Sequence, residues 1–157
     1  MAPMREPKLV RVGTGALALS HRPRRKDVAR LLERGVTHIV TLLAEREGAK
    51  EIGEAARDAG LTWIWCPLVN GQPPDAEVTA RIQPLLAELA KLVEGGAAIL
   101  VHCSAGIHRT GMFGYALLRQ LGLDRSTARS KLMELREVTG EGVGEDRLAW
   151  GDALFQS

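Results

Sequence analysis

Cys103 and Arg109 are separated by five residues in the stretch HCSAGIHRTG, which runs from residue 102 to residue 111. The small residues between them allow a tight turn whose successive backbone N–H groups point inward and form an anion-binding nest. A thiol at the mouth of such a nest should ionise more readily than a free thiol. An Arg guanidinium beside it supplies a planar, bidentate fork suited to phosphate. The two side chains therefore predict nucleophilic phosphoryl transfer through a phosphocysteine, followed by hydrolysis.

The elements around this stretch are predicted to place it at one edge of a buried sheet. Ala97–Val101 is a short, entirely apolar strand, as expected at the centre of a parallel sheet. Thr110–Leu121 follows as a helix. Open α/β sheets bind ligands beyond the carboxyl ends of their strands, and the N-terminus of the helix directs its dipole at the same point. An anion site is therefore expected where the strand ends.

Apolar runs and helical periodicity alternate along most of the chain. Strands are predicted at Leu9–Val12, Ala16–Leu19, Val36–Leu43, Leu61–Leu68 and Ala97–Val101. Helices are predicted at Asp27–Arg34, Gly48–Asp58, Asp75 to Gly95, Thr110–Leu121, Ser126–Val138 and Asp146–Phe155, with the Gly-rich segment Gly140–Gly144 joining the last two. The alternation is typical of α/β proteins with a mainly parallel sheet of four or five strands and helices on both faces. Residues 1–157 are interpreted as a single domain with its core at about residues 9–155.

Composition excludes several classes of protein. The 157 residues include 21 Lys and Arg against 19 Asp and Glu, a net charge of +2, which is too small for a strongly basic nucleic-acid binder. No apolar run is long enough to cross a membrane, and the first residues lack the apolar core of a signal peptide. Two Cys do not form a disulfide framework and favour a reducing, cytoplasmic compartment.

The order His102-Cys103, five residues, then Arg109-Thr110 resembles the signature of the cysteine-dependent protein tyrosine and dual-specificity phosphatases. The whole stretch is similar to the loop of the tyrosine-specific branch, except that His108 stands where that branch usually has Gly. A His before the Arg is similar to the loop of a plant and fungal branch that acts on inositol pyrophosphates. Because the chain is too short for the long tyrosine-specific domain, it resembles a compact, atypical dual-specificity domain over most of its length.

The resemblance implies a role for each residue of the loop. Cys103 would be the nucleophile, and Arg109 would bind the phosphate and its transition state. Thr110 would contact the Cys sulfur and assist breakdown of the intermediate, while His102 would brace the loop through hydrogen bonds. The backbone amides that would hold the phosphate are those of Ser104, Ala105, Gly106, Ile107 and His108. The chemistry implied here uses neither a metal nor an organic cofactor.

Cys103 has two other interpretations. One is an inert, buried thiol, since unpaired Cys is commonly buried; Arg109 and the strand–loop–helix context disfavour it. The other is a metal site built from His102, Cys103 and His108. It is disfavoured because no second cluster of ligands supports it and a tight loop does not easily direct all three side chains at one ion.

The general acid that assists the leaving group is missing from its usual position. In this family an Asp roughly thirty residues before the Cys supplies the proton, and here the proline pattern of CPLVNGQPPD aligns that position with Asn70. Asp75 is the nearest carboxyl group and can serve as the N-cap of the next helix, as the general acid, or as both. His108 is another candidate, because imidazole titrates near neutrality. A substrate with a good leaving group needs no protein acid.

Three further features lie near the predicted site. Arg46 follows a strand at the same edge of the sheet and can contact substrate or form a surface ion pair of little consequence. Cys66 ends another strand there and can pack as a thiol or form a reversible disulfide with Cys103 under oxidation. The basic run from Arg22 to Lys26 can be a solvated loop or can attract an anionic substrate.

The predicted function is hydrolysis of phosphomonoesters, with protein phosphotyrosine ahead of phosphoserine and phosphothreonine. Asn70 and Arg46 are expected to help bind the substrate. The alternative is a phosphatase for an inositol phosphate, a nucleotide or an RNA 5′ phosphate, and Asn70 also leaves open a phosphate-binding pseudo-phosphatase. The expected partner is a phosphorylated protein or small molecule. A monomer is expected, with no specific nucleic-acid binding and no membrane association.

Overall fold

A five-stranded sheet with the order β1-β2-β5-β3-β4 forms the centre of the molecule. The computed structural model describes residues 7–155. A hairpin joins β1 to β2 in antiparallel register, and the other strand pairs are parallel. The strands are β1 Val10–Val12, β2 Gly15–Ser20, β3 His38–Thr41, β4 Thr62–Trp65 and β5 Ala98–His102. The predicted α/β fold class with its mainly parallel sheet is therefore confirmed.

The helices lie between the strands and after β5, with a 3-10 turn at Glu45–Glu47 directly after β3. Those in the described residues are α1 Arg25–Leu31, α2 Ala49–Asp58, α3 Ala76–Glu94, α4 His108–Gln120, α5 Arg125–Leu135, α6 Glu137–Gly142 and α7 Glu145–Ala153. Asp75 caps α3, because its carboxylate accepts a hydrogen bond from the Val78 N–H at 2.9 Å. Within residues 7–155, no helix is long and apolar enough to cross a membrane.

Side chains of the sheet alternate between two apolar cores, one on each face. On β5, Ile99 and Val101 belong to the larger core, under α3 and α4, while Leu100 belongs to the smaller core under α1 and α2. Every residue of β5 is buried, as an apolar central strand covered by helices on both faces requires. The carboxyl ends of β2, β3 and β5 are consequently held at one edge of the sheet.

The predicted helix Ser126–Val138 and the predicted joining segment Gly140–Gly144 are both wrong in detail. Arg136 is extended (φ −164°, ψ 108°) and ends α5, and α6 then takes in most of the glycines. These glycines permit close packing: a Cβ built on Gly140 would lie 3.0 Å from the Met133 Cα. A pattern that reads as a flexible linker is therefore a short helix packed against its neighbour.

Candidate active site

The loop between β5 and α4 carries the predicted nucleophile. His102 ends β5, α4 begins at His108, and Cys103 follows the strand with only 3% of its surface exposed. Gly106 lies in the left-handed region at φ +72°. A Cβ at this position would collide with the backbone carbonyl of Ser20. Glycine is therefore required there both for its conformation and for the close approach of the loop to β2.

The carbonyl groups of this loop are bound from outside the curve. The Arg22 N–H donates to the Ser104 carbonyl at 2.8 Å. Arg136 Nη1 donates to the carbonyls of Ala105 and Gly106 at 3.2 and 2.9 Å, and the Thr139 hydroxyl also donates to Gly106.

Outward carbonyls fix where the amides point. In a planar trans peptide, the C=O of one residue and the N–H of the next point in opposite directions. The N–H groups of residues 105, 106 and 107 therefore point to the inside of the curve. Together with the N-terminus of α4 they form the anion nest that the sequence predicts.

Arg109 is buried beside this loop and forms a bidentate ion pair with Glu47. Its Nη1 and Nη2 atoms donate to the two carboxylate oxygens of Glu47 at 2.8 and 3.0 Å, and Nη1 also donates to the Leu68 carbonyl at 3.2 Å. The hydrogen bonds from Arg109 lower the pKa of Glu47 to about 2. Pairing with Glu47 and the nearby Cys103 side chain both raise the pKa of Arg109.

Glu47 occupies only one edge of the planar guanidinium. The edge formed by Nε and Nη2 is left for a second bidentate acceptor, such as two oxygens of a phosphate. Among residues 7–155, the buried Arg109 Nε and the buried Thr110 Oγ1 find no hydrogen-bond partner. Buried polar atoms are almost always satisfied, so both are suited to a polar ligand at the loop.

His102 belongs to a hydrogen-bonded chain that extends across the sheet. Its Nδ1 lies 3.0 Å from the Cys103 carbonyl, which can only accept, so Nδ1 carries the proton and donates. Nε2 is then the acceptor and receives the Thr41 hydroxyl at 2.8 Å, and Trp63 Nε1 donates to the same hydroxyl oxygen at 2.8 Å. Burial lowers the pKa of His102 to about 4, so the ring is neutral at pH 7. These hydrogen bonds fix the backbone carbonyl of Cys103.

The structure separates the possible general acids. Glu47 is ionised and His102 is not in its acidic, doubly protonated form near pH 7, so neither can act as the general acid. Asn70 is exposed at the position that the sequence assigns to the acid. Asp75 and His108 are also exposed, and Asp75 uses its carboxylate to cap α3.

Other predicted residues lie around the rim. Arg46 and Asn70 line the same cavity of about 330 Å³, together with Glu47. Cys66 and Cys103 are free thiols, and they follow β4 and β5, which flank β3. Two strand spacings put their Cα atoms roughly 9–10 Å apart, too far for a disulfide without movement of the backbone. Burial raises the pKa of Cys66 to about 11, so its thiol is protonated.

The basic run from Arg22 to Lys26 is largely committed to structural contacts. Arg22 binds the carbonyl of Glu47 and pairs with Glu51. Arg24 pairs with Asp27 in the first turn of α1, and Arg25 pairs with Asp58 at the end of α2. Arg22 therefore supports both the loop that carries Cys103 and the turn that carries Glu47.

Sequence reasoning missed several of these groups. Glu47 lies in a turn that was placed at the correct sheet edge, but only Arg46 was singled out there. The register pair Thr41 and His102 follows only from the strand order. No local signal points to Arg136, whose importance comes from packing of α5 and α6 against the loop. Within the described part of the chain, no cluster of His, Cys, Asp and Glu could hold a metal ion.

Comparison with known proteins agrees with this geometry. Residues 7–143 match the family model described as "PTP-SAK: Swiss Army Knife protein, DSP-PTPase phosphatase domain". No curated protein sequence matches the chain.

Solved phosphatase structures share the fold. PTPMT1 superposes with a TM-score of 0.71 at 20% identity, over 93% of this chain and 92% of that one. Kinase associated phosphatase, with its catalytic Cys replaced by Ser, gives 0.69 at 21% identity, over 88% and 84%. The core catalytic domain of the PP-IP phosphatase SIW14 from S. cerevisiae gives 0.66 at 18% identity, over 96% and 86%.

Proposed function

The chain belongs to the DSP-PTPase family of Swiss Army Knife phosphatase domains, and on that premise we propose that it hydrolyses aryl phosphate monoesters, with phosphotyrosine in proteins as the principal substrate. The observation that carries this proposal is the loop whose carbonyls are bound from outside, with the buried side chains of Cys103 and Arg109 interacting at its two ends. Both a nucleophile and a phosphate-binding surface are then present in one turn of chain.

The reaction proceeds in two displacements. The Cys103 thiolate attacks phosphorus, the bond from phosphorus to the leaving oxygen breaks, and the departing phenolate takes a proton from solvent. Water then attacks the phosphocysteine, and the sulfur departs as a thiolate with release of inorganic phosphate. The inward N–H groups and the Nε edge of Arg109 hold the equatorial oxygens, so catalysis depends on positioning and on stabilising their charge.

The presence of Asn70 where an acid is expected favours a substrate with an aryl leaving group. An amide has no proton to donate as an acid, whereas an alkoxide leaving group needs protonation during bond cleavage. A phenol such as Tyr has a pKa of about 10, several units below that of an aliphatic alcohol, so it departs with much less assistance. We therefore expect aryl phosphates to be hydrolysed faster than alkyl phosphates such as phosphoserine.

A direct test uses para-nitrophenyl phosphate, a phosphotyrosine peptide and the matched phosphoserine peptide. The expected result is steady hydrolysis of the two aryl substrates, abolished in Cys103→Ser and retained in Cys66→Ser. The serine variant should still bind the phosphotyrosine peptide. If wild type binds the peptide but turns over no substrate, the protein is a phosphate-binding module and the proposal is wrong.

A non-protein substrate is the second candidate. The phosphate leaving group of a phosphoanhydride also departs without a general acid, so Asn70 favours such substrates as well. In addition, SIW14 is described as a PP-IP phosphatase. Between Cys103 and Arg109, however, the only basic side chain is His108, and a highly charged inositol polyphosphate favours more cations there. A panel of inositol phosphates, nucleotides and triphosphorylated RNA separates the candidates: a kcat/KM above that of the phosphopeptide on any of them overturns the protein assignment.

A further inference from the structure

Two adjoining cavities flank the segment Pro67–Asn70, and we name them together the flanking groove. The first, of about 330 Å³, is lined on the side away from this segment by Ala44, Arg46 and Glu47, in and before the turn after β3. The second, of about 570 Å³, continues along residues 71–75 to Val78 and Arg81 at the start of α3. Because both cavities share the residues 67–70, the groove extends from the turn after β3 to the first turns of α3.

The flanking groove begins at the catalytic guanidinium. Glu47, in its wall, holds both terminal nitrogens of Arg109. Leu68, in its floor, accepts a third hydrogen bond from the same side chain at 3.2 Å. When a phosphorylated residue of a peptide is bound at Arg109, the adjoining residues of that peptide therefore lie directly beside the groove.

Two cations at the groove have no ionic partner in the described residues. The two carboxylates next to Arg46 in the sequence form their ion pairs with other residues: Glu45 pairs with Lys50 at 2.8 Å and Glu47 with Arg109 at 2.8 Å. Arg46 acts on Glu47 only through its nearby charge. Arg81 likewise forms no ion pair, and its charge reaches as far as Cys66, where it opposes the effect of burial on that pKa. The one other carboxylate in the lining, Asp75, accepts the Val78 N–H at the start of α3. Each end of the groove therefore presents one guanidinium that forms no ion pair within the described residues.

The surface between these cations is apolar. Val69 is 84% exposed, and it is flanked in the lining by Pro67, Pro73 and Pro74. An exposed aliphatic side chain among prolines is a surface for side-chain contact, which a polyphosphate does not use. The combination of apolar floor and terminal cations matches a peptide better than a small, uniformly charged molecule.

We propose that the flanking groove binds the peptide segment adjoining a phosphotyrosine and selects segments that carry acidic residues, which pair with Arg46 and Arg81, next to an apolar residue that contacts Val69. The inference rests on the proposed phosphotyrosine activity and names its sequence preference. Exposed charges at the rim of a binding site act mainly on selectivity and on association rate.

The experiment compares phosphotyrosine peptides of equal length that differ only in their flanking residues, which are acidic, neutral or basic. Wild type should prefer the acidic over the basic peptide by about tenfold in kcat/KM, and the preference should shrink as salt is added. Arg46→Glu and Arg81→Glu should each reduce that ratio by about fivefold, and the double variant should reverse it. Lys91→Glu, a charge reversal further along α3, is the matched control and should keep the wild-type ratio.

The ratio separates selectivity from catalysis. A defect in the chemical step lowers kcat/KM for the acidic and the basic peptide alike, so it leaves their ratio unchanged. Equal ratios in wild type and in both Arg variants overturn the proposal. So does loss of activity on inositol polyphosphates with no change of the peptide ratio, since that result assigns the cations to a non-protein substrate.

Failure of the proposed function is distinguishable from failure of the groove. Binding of the same peptides to Cys103→Ser, followed by fluorescence anisotropy, needs no turnover. If wild type hydrolyses no aryl phosphate but Cys103→Ser still prefers the acidic peptide, the groove assignment holds while the enzymatic one falls. If aryl phosphates are hydrolysed and the peptides bind equally, the groove assignment alone is wrong.

Discussion

Replacing Glu47 with Gln should destabilise the fold in a way that depends on pH. The pKa of Glu47 falls from an ordinary 4.5 to about 2, chiefly because Arg109 hydrogen-bonds to it. A shift of about 2.5 units corresponds to about 3.4 kcal/mol. The Glu47 side chain is 32% exposed, and solvent screening reduces the contribution to about 2 kcal/mol. The Gln variant also leaves the Arg109 charge buried without its counter-charge, which acts in the same direction.

The sign of the pH dependence follows from the lowered pKa. At pH 7 the carboxylate is ionised in both the folded and the unfolded chain, so the full stabilisation is present. Below about pH 4.5 the unfolded chain takes up a proton while the folded protein resists until about pH 2. The stability that Glu47 gives to wild type is therefore lost between about pH 4.5 and pH 2. The Gln side chain does not titrate, so the variant shows no such loss. The gap of about 2 kcal/mol should fall below about 1 kcal/mol by about pH 3.

Urea denaturation of both proteins, at neutral pH and at about pH 3, measures the gap. Glu51→Gln is the matched control, because Glu51 is 77% exposed and pairs with Arg22 at 3.4 Å, so it should cost at most about 0.5 kcal/mol. A gap for Glu47→Gln that is as large at pH 3 as at pH 7 refutes the argument. Equal costs for the two variants at pH 7 refute it as well.

Three further outcomes are expected. Gly106→Ala should lower kcat/KM for para-nitrophenyl phosphate by at least about 100-fold, because a side chain there displaces the loop from β2. Thr41→Val should lower the free energy of unfolding, measured in urea, by about 1–3 kcal/mol by leaving the acceptor nitrogen of His102 unpaired, and Thr41→Ser should restore most of it. Tyr115, the one Tyr of the chain, is buried and donates to Asp152. Burial raises its pKa to about 12, so absorbance near 295 nm should show it titrating well above the ordinary value of about 10, provided the fold persists.

Local patterns predicted most of the fold because each acts over a few residues. The apolar run that became β5 needs two covered faces, and Asp75 before an apolar periodic segment is an N-cap whatever the tertiary structure. The boundary between α5 and α6 lies beyond such reasoning. Glycine at 140 and 142 lowers helix propensity, and only the contact of Gly140 with Met133 shows why a helix forms there.

The site divides in the same way. The proximity of Cys103 to Arg109 could be predicted because one short loop joins them, and the geometry of that loop is local. Glu47 lies 62 residues from Arg109, and Thr41 lies 61 residues from His102. These contacts depend on β3 lying next to β5, and several strand orders are compatible with the same sequence pattern. The supporting groups are therefore a consequence of topology, which the pattern alone does not determine.

The ion pair and the buried imidazole together fix the charges around the site before a substrate binds. Glu47 is held ionised by Arg109, and His102 is held neutral by burial, so each of these two groups stays in one protonation state across the neutral range. Their charges are fixed before substrate arrives, which is the condition for electrostatic preorganisation. Proton delivery is then left to the exposed rim or to solvent, and a leaving group that departs as a phenolate needs little of either. Asn70 is consistent with the proposed function on this argument: the groups that would stabilise charge on phosphorus are present, and an aryl substrate would supply a leaving group that departs easily.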